Sequence, residues 1–260
     1  MNTPMIIAHR GASGEAPENT MAAFELAQRQ GAAMLELDLQ RSADGYLVVF
    51  HDATTEHWER QGRPVATCSL KQLQQLDIGG ERVPTLAAVL DFARTSGILL
   101  NIELKAHGMA TACAKLVRQY QLSDRVLISS FYPQALQELQ RTAPELQRGY
   151  LMGIRTWRPN VRLREFWPFF ALRSIAAHTW HPYEGLPGLD RIIPLARRAG
   201  YGVNVWTVDQ PERMRRLATL GVTGIITNYP ALGKSVIPIN SDVKSDPPAS
   251  HSFPQRDSGD

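Results

Sequence analysis

Met34-Leu35-Glu36-Leu37-Asp38-Leu39 is the stretch on which the reading of this chain turns. Successive strand side chains point to opposite faces, so Leu35, Leu37 and Leu39 share one face and Glu36 and Asp38 the other, roughly 6.5–7 Å apart along the strand. A second run, Leu100-Asn101-Ile102-Glu103-Leu104-Lys105, places Ile102 and Leu104 on one face and Asn101, Glu103 and Lys105 on the opposite one. If the two strands share a parallel sheet, three carboxylates and a lysine converge near their C-terminal ends. Burying such charges without compensation is expensive, and a bound divalent cation compensates three carboxylates well.

Working outward, short apolar runs alternate with longer helical patterns, which predicts repeated βα units on a parallel sheet. Strands are expected to begin near Ile6, Met34, Ile98, Val126, Gln147, Ser174, Val203 and Gly224. Eight units favour a closed α/β barrel of the TIM type, (β/α)8, over an open sheet. Asn19 is placed to cap a helix through Met21, Phe24 and Leu26 that Gly31 ends, and Pro133, Pro144 and Pro211 mark helix edges or first turns. Between His51 and Val83 the rhythm breaks around a short helix near Leu70 to Leu76, which predicts a rim insertion over about 52–83 after the second βα region. The barrel domain is expected to span 1–237, with a short helix after Pro230 reaching about Lys234. Residues 238–260 are polar and predicted to be a disordered tail.

The 260 residues are 43% hydrophobic and 20% charged, an ordinary globular balance. The net charge of +3 comes without a lysine/arginine block interleaved with aromatics, so a nucleic-acid surface is not expected. An anionic small molecule suits the same charge. No signal peptide and no run near the roughly 20 apolar residues of a membrane span is evident, which predicts a cytoplasmic protein without stable membrane insertion. Cys68 and Cys113 lie apart from the acids and outside any metal or redox spacing.

His9-Arg10-Gly11 follows the first expected strand, and His51-Asp52 ends the run Leu47-Val48-Val49-Phe50. The C-terminal ends of barrel strands hold the active site, so the two histidines are placed to act as general base and general acid. A lone histidine there is more often structural; two of them, converging with three acids, a lysine and an arginine, point to function. For Glu36, Asp38 and Glu103 the bland alternative is an exposed edge or salt bridges to bases such as Arg41. All-oxygen ligands favour Mg²⁺, Ca²⁺ or Mn²⁺ over zinc. Arg10 and Lys105 either pair with those carboxylates or bind a phosphodiester. The loop Gly11-Ala12-Ser13-Gly14 offers backbone amides to the same anion. Trp206 is expected as pocket wall or barrel core, and Phe166-Trp167-Pro168-Phe169-Phe170 mostly as helix-to-barrel packing.

With these motifs in hand, the chain resembles the glycerophosphodiester phosphodiesterases, especially the compact bacterial cytosolic type, from about Ile6 to Pro230. The most specific part is the series His9-Arg10-Gly11, Pro17-Glu18-Asn19-Thr20 with Ala23-Phe24, Glu36-x-Asp38, Asp44-Gly45 and His51-Asp52. Val83-Pro84-Thr85-Leu86, Asn101 to Lys105, Ser129-Ser130-Phe131, Val205-Trp206-Thr207-Val208 and Gly224 to Pro230 support it. Ala87, Thr223 and Asn228 depart from the family pattern, and at each of them many relatives carry an acid.

The resemblance implies a βα barrel in which Glu36, Asp38 and Glu103 hold one divalent metal and His9 and His51 form the acid/base pair. Arg10 and Lys105 would contact phosphate, and Trp206 would line the pocket. The implied reaction is metal-dependent hydrolysis of a glycerophosphodiester, such as glycerophosphocholine or glycerophosphoethanolamine, to sn-glycerol 3-phosphate and an alcohol. Attack on lysophospholipids as a phospholipase D, and a non-catalytic barrel that binds phosphodiesters or a protein partner, are the rival readings.

Overall fold

The computed structural model of the chain describes residues 3–153 and 167–237. In chain order the strands are β1 (Met5–His9), β2 (Met34–Arg41), β3 (Leu47–Val49), β4 (Leu99–Leu104), β5 (Val126–Ser130), β6 (Gln147–Met152), β7 (Thr179–Pro182), β8 (Gly202–Val205) and β9 (Gly224–Thr227). The helices are α1 (Met21–Arg29), α2 (Leu70–Leu73), α3 (Leu86–Ser96), α4 (Ala110–Gln119), α5 (Pro133–Thr142), α6 (Phe169–Ser174), α7 (Leu189–Arg198), α8 (Pro211–Thr219) and α9 (Pro230–Val236). Eight strands pair in parallel around a cylinder, and β1 closes it by pairing with both β2 and β9. This is the expected (β/α)8 barrel.

Alternation along the strands builds two separate interiors. Leu35, Leu37 and Leu39 of β2 and Leu100, Ile102 and Leu104 of β4 face outward into the layer between strands and helices, where Phe24, Leu86 and Leu90 cover them. At about 25 cal/mol per Å² of apolar area, this layer is the main source of fold stability. Inside the cylinder, Ile7, Met34, Leu99, Leu127 and Ile226 form an apolar plug. The next inward positions of β1, β2 and β4, two residues further on, are His9, Glu36 and Asn101, which lie level with one another in the ladder. The apolar floor therefore gives way to polar groups toward the C-terminal mouth.

β3 lies outside the cylinder and runs antiparallel to the end of β2, with Leu39 opposite Val49 and Arg41 opposite Leu47. The chain from there to α3 interrupts the second βα unit and carries its own apolar cluster of Val48, Phe50, Val65, Cys68, Leu73, Leu76, Ile78 and Val83. Ser69 and Gln72 cap α2 reciprocally, and α2 ends at Leu73, short of the expected Leu76. Leu76 still packs inward on a tighter turn, its N–H bonded to Leu73 O at 3.2 Å.

Several local expectations need correction. Ser174 ends α6 and begins no strand; Leu172 and Ile175 pack against the barrel there, and β7 starts at Thr179. The true strand reads Thr-Trp-His-Pro, whose polar inward residues hide its pattern. Thr20, not Asn19, caps α1, its hydroxyl accepting from Ala23 N. Among the described residues of the aromatic cluster Phe169 packs against the core and Pro168 is buried, while Trp167 and Phe170 are 56% and 81% exposed. Phe166 and the 238–260 tail fall outside the described residues. Both cysteines are free and buried. Among the described residues no helix is long and apolar enough to cross a membrane.

Candidate active site

Glu36, Asp38 and Glu103 meet. Asp38 and Glu103 lie opposite each other in the β2–β4 ladder, and all three side chains offer oxygens that lie within 4.8 Å of one another in a buried group. Their nearest bases come from the positions just after β1 and β4, not from exposed Arg41. Lys105 Nζ lies 3.1 Å from Asp38 Oδ1 and 3.0 Å from Glu103 Oε1. Arg10 Nε lies 3.2 Å from Asp38 Oδ2, its Nη1 pairs with Glu18 at 2.8 Å, and its backbone N–H donates to Glu36 Oε2 at 3.0 Å. Asp38 also accepts from Asn19 Nδ2 at 2.9 Å.

The charges do not balance. Burial raises the Glu36 carboxyl well above its ordinary range, and Asp38 and Glu103 beside it add to the rise. Glu103 is pushed up to about 7 by burial and then by Asp38. Burial would raise Asp38 as well, but Lys105 and Arg10 overcome it and hold that carboxyl below its usual value. Three hard oxygen donors that resist sharing negative charge suit a divalent cation of the Mg²⁺, Ca²⁺ or Mn²⁺ kind, so the residues present fit the implied metal.

The two histidines approach from different elements. His9 ends β1 on its inward face and places Nδ1 2.7 Å from Asn228 Oδ1. Burial, then Arg10, lowers its pKa to about 4. His51 follows β3 rather than a barrel strand, and a backbone bond from Phe50 N to Asp38 O, 2.9 Å, lays it beside the acids. Its Nδ1 lies 2.7 Å from Asp52 Oδ1. Gln40 Nε2 donates to the carbonyls of Phe50, His51 and Asp52 and so pins this turn. His51 lies close enough to His9 and Asp38 for the three groups to feel one another. A cleft lined by Glu18, Asn19, Phe50, His51, Asp52 and Trp58 opens at this edge.

Trp206 follows β8 at the mouth; its Nε1 donates to His181 O at 2.8 Å, and its ring meets Phe131 and Tyr183 at 5.5 and 5.4 Å. It stands in this aromatic row. The 11–14 loop is no anion cradle, because the N–H groups of Gly11, Ala12 and Gly14 donate to Ala8, Ala23 and Asn228 carbonyls. Sequence reasoning missed Asn19 as a partner of Asp38, Gln40, and Asp209, which binds Asn228 at 2.6 Å. The one available signal was the placing of Asn19 and Asn228 inside otherwise recognisable motifs.

Comparison with known proteins places the chain in a family and agrees with the barrel fold. Residues 9–232 match the profile of the glycerophosphoryl diester phosphodiesterase family. A glycerophosphodiester phosphodiesterase of Caldanaerobacter subterraneus subsp. tengcongensis is 35% identical over 239 residues, covering 87% of this chain and 94% of its own. The solved glycerophosphodiester phosphodiesterase of Agrobacterium tumefaciens superposes with a TM-score of 0.75 at 32% identity, covering 88% of this chain and 98% of that one. An Oleispira antarctica phosphodiesterase, solved in complex with its product sn-glycerol-3-phosphate, gives a TM-score of 0.76 at 28% identity over 90% and 96% of the two chains. With a matched profile over most of its length, the chain belongs to the glycerophosphoryl diester phosphodiesterase family and is an enzyme of that family.

Proposed function

We propose that the enzyme hydrolyses glycerophosphodiesters such as glycerophosphocholine and glycerophosphoethanolamine to sn-glycerol 3-phosphate and an alcohol, with one divalent cation held by Glu36, Asp38 and Glu103. The observation that carries this reading is the meeting of the three buried carboxylates beside Arg10 and Lys105. When bound, the cation would polarise a phosphoryl oxygen and acidify the attacking hydroxyl or water. In that state Arg10 and Lys105, each now paired with the acids, offer their charge to the phosphate and offset what develops in the transition state.

The partners of the two histidines divide their roles. His9 faces a neutral amide and is itself held neutral by burial, which suits a base that takes the nucleophile's proton. His51 Nδ1 faces the carboxylate of Asp52, a hydrogen-bond partner that orients the ring of the group assigned to protonate the departing alkoxide. Trp206 lines the pocket from the β8 side. In this reading residues 1–237 work as one barrel domain in the cytoplasm, acting on a small soluble substrate, with the 52–83 segment shaping the side of the pocket near His51.

A second reading is supported by the exposure of Trp167 and Phe170 at the start of α6: the same centre would act on lysophospholipids as a phospholipase D. Release of glycerol 3-phosphate, measured with glycerophosphocholine, glycerophosphoethanolamine and glycerophosphoinositol and with Mg²⁺, Ca²⁺ and Mn²⁺ in turn, tests the first reading. Choline release from lysophosphatidylcholine in preference to glycerophosphocholine would replace it with the second. Full activity after exhaustive chelation would remove the metal from both.

A further inference from the structure

Asn228 stands between His9 and a carboxylate that plays no part in the reaction outlined above. Asp209, in the loop between β8 and α8, accepts three hydrogen bonds. Thr227 Oγ1 and the Asn228 backbone N–H donate to its Oδ1 at 2.8 and 2.9 Å, and Asn228 Nδ2 donates to its Oδ2 at 2.6 Å. A carboxylate has no proton to give, so the nitrogen of the Asn228 amide must face it. The amide oxygen is then turned to His9 Nδ1 at 2.7 Å and to the Ser13 hydroxyl at 2.8 Å. An amide oxygen also has no proton, so the hydrogen of the His9 contact must sit on Nδ1. That leaves Nε2 with a free lone pair.

We propose that Asp209, acting through the Asn228 amide, fixes the tautomer and orientation of His9 and is thereby a positioning residue for the reaction. This rests on the reading of His9 as the base. The direction of every bond in the chain follows from one end: carboxylate, amide nitrogen, amide oxygen, Nδ1–H, free Nε2. A reversed amide would present its NH₂ to His9, force Nδ1 to accept and put the proton on Nε2, where a base cannot use it. Ser13 adds a second restraint, its hydroxyl lying 2.7 Å from the His9 carbonyl and 2.8 Å from Asn228 Oδ1.

Asp209→Asn keeps the size of the side chain, but the Asn228 backbone N–H claims its oxygen and its NH₂ is left facing the Asn228 amide, so that amide is no longer held in the parent orientation. Turnover of glycerophosphocholine should fall about 10- to 100-fold with KM little changed, short of the loss expected when the base itself is removed. ¹⁵N spectra of histidine-labelled protein should show His9 as the Nδ1–H tautomer in the parent and a mixture in the variant. Exchanging the two residues, Asp209→Asn with Asn228→Asp, sets a donor at 209 against a carboxylate at 228 that can only accept from His9, and should recover both the tautomer and most of kcat. A His9 signal unchanged in Asp209→Asn, whatever the rate, overturns the proposal, as does failure of the exchanged pair to recover the tautomer while its melting temperature matches the parent. His9→Ala is run alongside: parental turnover in that variant removes the base reading itself, a separate outcome from the first two.

Discussion

Asn19 and Asp38 bind each other twice: Asn19 Nδ2 donates to Asp38 Oδ2 at 2.9 Å, and the Asp38 backbone N–H donates back to Asn19 Oδ1 at 3.2 Å. Asn19 sits at a φ of 57°, a left-handed conformation that asparagine tolerates better than most residues. The α1 entry loop is thus tied to an acid of the proposed metal site. Groups behind a metal ligand commonly set affinity by 10- to 100-fold. Asn19→Ala should weaken Mg²⁺ or Ca²⁺ binding by about that factor, measured by titration calorimetry; unchanged affinity would show that Asp38 is held well enough by Arg10 and Lys105.

Divalent cations should stabilise the fold directly. At a hundredfold excess over Kd a ligand adds about 2.7 kcal/mol, or roughly 5–10 °C in Tm for a chain of this size. Chelator should reverse the shift. Glu36→Gln should abolish most of it while leaving the metal-free Tm no lower than the parent's, because burial and the neighbouring Asp38 and Glu103 already disfavour the Glu36 carboxylate. A metal-free Glu36→Gln protein that melts well below the parent would contradict that balance.

Leaving-group chemistry separates the two histidines. His9→Ala and His51→Ala should each lower turnover of glycerophosphocholine by about 10² to 10⁴. With a p-nitrophenyl phosphodiester, whose leaving group needs no proton, His51→Ala should lose far less and His9→Ala just as much. Asp52→Asn, which removes the carboxylate partner of His51, should follow the His51 pattern in milder form. Equal losses on both substrates for His51→Ala would take the acid role away from it.

His181 makes stability pH-dependent. It is fully buried on β7, bonded through Nε2 to Thr179 at 2.9 Å and Asn204 at 3.1 Å, and burial lowers its pKa to about 3. The unfolded chain takes up a proton near pH 6.5 and the folded chain does not until near pH 3, so this contribution is complete above 6.5 and drains away as pH falls toward 3. Between pH 6.5 and 5 the loss should be about 2 kcal/mol. Urea unfolding at both pH values should show it in the parent, and His181→Gln should lose measurably less over the same interval. Identical slopes in the two proteins would exclude the residue as the source.

Why some of this could be read from the chain and some could not follows from what each side chain faces. The acids of β2 announced themselves because their strand neighbours are leucines that face a purely apolar layer, so the alternation is clean. β7 escaped notice because the polar barrel interior meets it through Thr179 and His181, and no apolar alternation remains. Asn19 and Thr20 are both good helix caps, and which one caps α1 depends on Asp38, eighteen residues beyond Thr20 and visible only in three dimensions. Asp209 carries no local signal at all. Its meaning comes from Asn228, at the end of the next strand.

The antiparallel β3 places His51 on a part of the molecule that owns a separate apolar cluster, whereas His9 is woven into the cylinder. Free energies of opening differ between such cooperative units, and the smaller one opens more often. Amide hydrogens at Val48, Val65 and Leu73 should therefore exchange faster than those at Ile7 or Leu37. The working life of the proposed proton donor would then be set by the opening of that small unit, so warming should silence the enzyme while the cylinder that carries the proposed metal site is still whole.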